Sequence, residues 1–494
     1  VLQATGEFDA GPVWAFRAFP IRSDASKASL YRHEVTQAAV EAVLEALSRW
    51  RPGAAGPTNL PALPPPPASG GGWQGPVSRD RRTIAWAHDD TATVLRKIRS
   101  ADGHPGVADA LFGRPCRLHD AHAATPTTLR RATAGAPGEV LATRGPALLR
   151  RTVDGGVWIG HVRAEPPPGE PPLKLAATRA FAAECAGLPE LGVPLMREPD
   201  EWDELRYEET GDAGSRIGWL SFDFHNGAMS TRQCERLSDA LRFARGRDTR
   251  VLVLEGGADF FSNGIHLHDI EAAAQMPGDS AADASWRNIH AIDDVVLEML
   301  TMTDRLTVAL LRGNAGAGGC WLAFAADLVW AHEGVVLNPH YKNMGNLYGS
   351  EYWTYTLPRR VGEARASEVA KRVMQGRLPM SAAECAGLGL VDAVFAERGE
   401  ELRQHAARGV QSLAAACDHP ERIAAKQRQR ADDEARHPLA AFREQELQQM
   451  HRNFYGFDPS YHVARHHFVT RKPHAWTPRH RPCTGHDSHR TSGR

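Results

Sequence analysis

The segment "LRGNAGAGGCWLAFAADLVW" (311–330) constrains the fold of this chain more than any other. It places four glycines within seven residues, between an apolar run and an almost wholly apolar helix. A phosphate-cradling loop needs Lys-Ser/Thr after its last glycine, and Cys320-Trp321 follows instead. A dinucleotide fingerprint needs an acid about 20 positions on, where this chain reads "NPHYKN". Tight strand-to-helix packing alone would also use glycines. A further reading fits the context better. Residues 306–312 supply a strand, and the helix from about 319 is apolar on every side, hence buried. Its first backbone N–H groups lack intrahelical acceptors, and glycine lets a substrate carbonyl approach them. That arrangement is an oxyanion hole, in which each donor contributes about 3 kcal/mol towards a transition state.

A second loop has the same design. "GGADFFSNGIHLHDIE" (256–271) follows the strand "RVLVLE" and enters a helix through Gly264. From 216 onward, "RIGWLSFDF", "RVLVLEGG", "RLTVALLRG" and "DLVWAHEGVVLN" alternate with helical stretches. This rhythm predicts stacked ββα or βαβ units.

These segments, with "FDFHNGAMS", "VVLNPHYKNMG" and "LPMSAAECAGLGLVDAVF", resemble the crotonase (enoyl-CoA hydratase/isomerase) superfamily over about 216–396. The resemblance implies a crotonase ββα superhelix with Gly264 and Gly318 as the oxyanion-hole donors. It places Ser262, Asn263, Gly264, His266 and Gly318 at coenzyme A. Two departures matter. Trp321 and Tyr341 stand where hydratases carry their two glutamates, so ordinary hydration is not expected. Tyr341 and Glu351, ten residues further on, are the candidate catalytic pair. A tyrosine with its usual pKa near 10 donates a hydrogen bond, and a carboxylate can orient it or take its proton. A structural hydrogen bond is the alternative for each residue. The CoA phosphates have few obvious partners in "SNGIHLHDIE", which offers only His266 and His268; Lys342 or an arginine elsewhere is expected to help.

Length and composition set the outer limits. A chain of 494 residues is expected to form two or three domains. The net charge of −1 gives no global attraction to nucleic acid or anionic lipid, and no apolar run reaches the ~18 residues of a membrane span. Neither nucleic acid nor membrane is therefore an expected partner. Seven scattered cysteines without a CxxC pair argue for a reducing, cytoplasmic setting. The chain opens on Val1 in mid-strand and reads as a fragment.

The amino-terminal half has different chemistry. "VLQATGEFDAGPVWAFRAFPI" reads as two extended stretches around a turn. A helix follows, with Val35, Ala39, Val43 and Leu47 recurring at four and Val40 and Leu44 beside them. Residues 51–77 are a Pro/Gly linker. Asp90 is the expected N-cap of "TATVLRKIRSA", and the Asp-Gly-Gly at 154–156 is the expected hairpin turn. "EFDAGPV", "RTIAWAHDDTATVLRKIRSADGHPGVADALFGRPCRLHDA" and "GAPGEVLATRGPALLRRTVDGGVWIGHV" resemble 10-formyltetrahydrofolate-dependent formyltransferases. That resemblance makes 1–50 the end of an incomplete catalytic α/β domain, with Asp9 as its catalytic acid. It makes 78–172 an OB-like β-barrel. The partner asparagine and histidine are missing, so formyl transfer by this fragment should be poor.

The expected architecture is thus multidomain α/β: formyltransferase remnant, linker, OB-like barrel, connector (173–215), crotonase unit (216–396), helical segment (397–478) and disordered tail (479–494). "HRPCTGHDSH" in the tail is read as a chain end, and no metal cofactor is expected. The fusion resembles a family of [NiFe]-hydrogenase maturation factors. It implies formyl transfer from 10-formyltetrahydrofolate to CoA, then decomposition of formyl-CoA to carbon monoxide for the hydrogenase iron. The implied protein partners are the hydrogenase large subunit or its accessory proteins. A formyl-CoA or acyl-CoA hydrolase and a non-catalytic scaffold are the alternatives. His466 and His467, in "RHHFV", are further candidates for the active site.

Overall fold

A computed structural model describes all residues except 7–10, 52, 54–55, 59–76, 167–168 and 473–494. Asp9, most of the linker and the histidine-rich tail therefore lie outside the described residues. The chain divides into two compact units: Val1–Glu165 with Ala176–Leu191, and Pro166–Leu175 with Gly192–Arg494.

In the first unit, five strands form an antiparallel sheet in the order Val107–Leu111, Arg114–Ala123, Gly156–Ala164, Ala147–Arg151, Val140–Arg144. The short strand Leu175–Ala176 also pairs with Gly156–Ala164. The Asp-Gly-Gly segment joins two neighbouring strands of this sheet, as its turn chemistry predicts. Helix Thr91–Ala101 covers the sheet, placing Val94, Leu95 and Ile98 against Leu118, Leu148 and Ile159. Asp90 caps it, accepting from the Thr93 N–H at 2.7 Å.

The expected apolar face of the preceding helical stretch is a correction. The helix forms over Thr36–Arg49, but Val40, Val43, Leu44 and Leu47 are 45–63 % exposed. The face that packs within this unit carries Ala42 and Ala46, which meet Ala15 and Trp14. Small side chains allow the extended strand around Val13 to lie close against the helix, and that contact decides which face is buried.

The second unit carries two main sheets and a two-stranded pair, Ala228–Met229 with Gly264–Ile265. The larger has parallel strands Ile217–Phe222, Val251–Glu255, Leu306–Leu311, Leu328–His332 and Ala393–Phe395. Leu205–Thr210 pairs antiparallel at its edge, so the sheet begins inside the stretch expected to be a connector. The smaller sheet runs Phe260–Ser262, Asn314–Gly316, Val336–Asn338, Met380–Ser381. Successive turns of chain visit the large sheet, then a short strand of the small sheet or of the pair, then a helix, which is a ββα repeat.

The residues of the central strands Val251–Glu255 and Leu306–Leu311 are buried on both faces, as expected of the middle of a parallel sheet. Val251, Val253, Val308 and Leu310 pack towards helix Gly399–Ala415. Leu252, Leu254, Ala309 and Leu311 join the main core with helices Thr231–Arg245 and Ala281–Leu300. The charged carboxy-terminal stretch forms helices through Val469, including Leu439–Tyr455 and Ser460–Val469. Among the described residues, no helix is long and apolar enough to cross a membrane.

Candidate active site

The two glycine loops meet. A Cβ placed on Gly264 would stand 3.3 Å from the Gly318 nitrogen, and Gly264 has φ +77°, a conformation costly for any other residue. Ser262 and Gly319 fix this approach, since a Cβ on Gly319 would lie 2.1 Å from the Ser262 carbonyl oxygen. Gly318 opens the buried helix Gly318–Phe324, so its N–H precedes the first intrahelical acceptor. No acceptor meets that N–H among the described residues. The Gly264 N–H donates to Ser262 Oγ at 3.1 Å, a contact that a stronger acceptor would share or replace.

The residues expected beside these donors fall in different places. Asn263 is exposed, and its side-chain amide donates to the Asn226 carbonyl at 2.7 Å. His266 is buried and caps helix Leu267–Ala273, its Nδ1 accepting from the Asp269 N–H at 3.0 Å. Trp321 is fully buried, donates Nε1–H to the Pro339 carbonyl at 3.0 Å and packs on Phe324 and Trp353. It thereby anchors the loop that carries Tyr341. His466 Nδ1–H donates to Glu271 Oε1 at 2.9 Å, while Arg465 Nε donates to Oε2 at 2.8 Å. These bonds tie the last described helix to Leu267–Ala273.

Tyr341 and Glu351 come together as a buried pair. The Tyr341 hydroxyl donates to Glu351 Oε2 at 2.5 Å, and the Ser350 N–H donates to the same oxygen at 3.0 Å. The other oxygen, Oε1, points at the glycine hole: a Cβ on Gly318 would lie 2.3 Å from it. Gly349 makes room for the ring, since a Cβ there would be 2.2 Å from Tyr341 Cε2. Burial, then the neighbouring Asp293 carboxylate, pushes the Glu351 carboxyl up to about 8. Burial and the Glu351 charge hold the Tyr341 hydroxyl well above its ordinary value. Tyr341 is therefore a donor at neutral pH. Glu351 keeps its carboxyl raised well above the usual carboxylate range, with Oε1 left on the side of Gly318.

Three groups in this site escaped sequence reasoning. Asp293, on helix Ala281–Leu300, accepts from the Ser350 hydroxyl at 2.7 Å and the Glu351 N–H at 2.8 Å. Glu446, on Leu439–Tyr455, accepts from the Tyr352 and Thr354 N–H groups at 2.9 and 2.8 Å. It thus caps helix Trp353–Val361, whose own N-cap residue makes no side-chain bond. Arg443, one helical turn before Glu446, places Nε 3.6 Å from Asp293 Oδ2. A hint was available for Asp293, which lies on the buried stripe of Ile289, Ile292 and Val296. Glu446 and Arg443 stand in a charged helix where nothing separates them from their neighbours.

Stacked ββα repeats around a glycine-lined hole define an enoyl-CoA hydratase/isomerase-type domain, and that family's model matches residues 223–479. The full chain resembles the hydrogenase maturation factor HoxX of Bradyrhizobium diazoefficiens, with 50% identity over 497 residues, all of this chain and 81% of that protein. It also resembles the crystal structure of HypX from Aquifex aeolicus in complex with tetrahydrofolic acid. That match has TM-score 0.85 and 43% identity, and covers 97% of this chain and 79% of that one. A shorter likeness, 30% over 174 residues, links 35% of this chain to 63% of the putative enoyl-CoA hydratase/isomerase YhaR of Bacillus subtilis. The chain belongs to the HoxX/HypX family of hydrogenase maturation factors.

Proposed function

We propose that the second unit converts formyl-CoA into carbon monoxide and CoA, supplying the CO ligand of a [NiFe]-hydrogenase iron. The observation that carries this reading is Glu351 Oε1 facing Gly318 while Tyr341 holds Oε2. A formyl thioester has no α-carbon, so enolate chemistry is closed to it. With its carbonyl oxygen at the Gly264 and Gly318 amides, the formyl C–H is polarised towards Oε1. Glu351 as carboxylate takes that proton. The C–H pair becomes the lone pair of CO, the C–S pair leaves on sulfur, and Glu351 returns the proton to the thiolate. Tyr341 stays protonated and steadies the carboxylate.

The first unit is, in this reading, the carboxy-terminal part of a formyltransferase, its sheet corresponding to an OB-like barrel. Formyl groups would pass from 10-formyltetrahydrofolate to CoA. The HypX relative crystallised with tetrahydrofolic acid supports folate as that donor. Asp9 keeps its proposed role as catalytic acid there, and the hydrogenase large subunit or an accessory protein is the proposed recipient.

The test is headspace CO against formate, measured with formyl-CoA and the purified full chain. CO that disappears in Glu351→Gln supports the proposal. Formate alone assigns a hydrolase, and failure of CoA to raise the melting temperature at any concentration assigns a scaffold.

A further inference from the structure

We propose that Asp293 is a positioning residue that aims Glu351 Oε1 at the glycine hole, acting through the backbone of the turn that bears it. The inference rests on the reading of Glu351 as the proton-transferring group. Glu351 and Tyr352 are consecutive non-glycine residues with φ of 63° and 57°. Left-handed backbone at two such residues persists only where surrounding contacts over-determine it. The contacts here come from two distant helices. Asp293, 1 % exposed, uses one oxygen to hold both the Ser350 hydroxyl and the Glu351 N–H. Glu446 holds two further donors of the same segment, the Tyr352 and Thr354 N–H groups. The division of labour is clear from the atoms. Glu446 starts the following helix, whereas Asp293 grips the catalytic residue's own amide.

Asp293 Oδ2 makes no hydrogen bond among the described residues, and Arg443 at 3.6 Å offsets its charge only in part. A negative group is therefore kept beside Glu351 in a buried site, which favours the protonated form of Glu351. The groups facing Glu351 are few. Tyr341 comes from its loop and Asp293 from helix Ala281–Leu300. Glu446 comes from Leu439–Tyr455 and Cys234 from Thr231–Arg245, while Arg443 and Asp294 adjoin Asp293. Among these, only Asp293 both bonds the Glu351 backbone and raises its carboxyl by charge.

Asp293→Asn keeps an oxygen acceptor for both bonds and removes the charge, while Asp293→Ala removes both. The readout that needs no turnover is infrared titration of the Glu351 carboxylic C=O band, assigned by its loss in Glu351→Gln. In Asp293→Asn the band should titrate at least half a pH unit lower, with kcat for CO release within about fivefold of the parent. In Asp293→Ala, kcat should fall about 100-fold with KM for formyl-CoA within threefold. An unmoved titration in Asp293→Asn, or full kcat in folded Asp293→Ala, overturns the proposal. If Asp293→Ala does not fold, the asparagine titration decides alone. A shifted band in a protein that makes no CO leaves Asp293 in place and removes the decarbonylase reading instead.

Discussion

Glu351 Oε1 lies so close to Gly318 that a single methyl group on that glycine would stand 2.3 Å from it. In the proposed mechanism, the proton-carrying oxygen and the first oxyanion donor therefore share one small space, although they come from segments more than thirty residues apart. Gly318→Ala should consequently push Glu351 aside. CO release should fall about 100-fold or more, with little loss of melting temperature because the colliding partner is a side chain. Gly319→Ala meets backbone instead, the Ser262 carbonyl at 2.1 Å, and should lower stability by about 2 kcal/mol. Paired activity and thermal-melt measurements on the two variants check this contrast.

Removing the donor at Oε2 is a gentler change. Tyr341→Phe leaves Glu351 in place but strips the 2.5 Å bond that orients it. CO release should drop about 100-fold or more, while CoA binding, read by calorimetry, stays within a few-fold of the parent. Equal losses in binding and turnover would assign the tyrosine to the CoA pocket.

The sign of the pH dependence follows from Glu351. Its carboxyl is pushed up to about 8, and in the proposed mechanism the base form takes the formyl proton. kcat for CO release should rise about tenfold per pH unit below that value and level off above it. A rate that falls over the same range would make Glu351 an acid.

Stability should respond to His268 in the opposite range. Its Nδ1 accepts the Lys174 N–H at 3.3 Å. Burial, then His266, Lys174 and Arg471, pushes the imidazole down from 6.5 to about 4. The folded state binds fewer protons than the unfolded one between these values. The contribution is complete above pH 6.5 and is lost as pH falls towards 4. Urea midpoints should decline over that interval in the parent and decline less in His268→Gln.

The sequence made some of this site readable and hid the rest for physical reasons. Glycine has few uses next to a buried helix, so the 313–319 loop pointed to close backbone approach, and Gly264 to its partner. Tyr341 was legible only through the family resemblance, as the residue at the second glutamate's position, and Glu351 as a carboxylate ten residues further along the same polar loop. Asp293 and Glu446 were not, since a carboxylate on a helix is usually solvated and only tertiary packing makes it internal. His266, expected at the ligand, has a structural task the sequence did not announce: its Nδ1 caps helix Leu267–Ala273. The Val40–Leu47 stripe misled for a third reason: periodicity announces an apolar face but not what lies against it.

The bond from Glu446 to the Tyr352 turn spans 94 residues of sequence. A shortened enzyme engineered for gas production would have to run through Tyr455, well past the last strand. A piece ending at Phe395 would keep both sheets and lose the brace that sets its reactive turn.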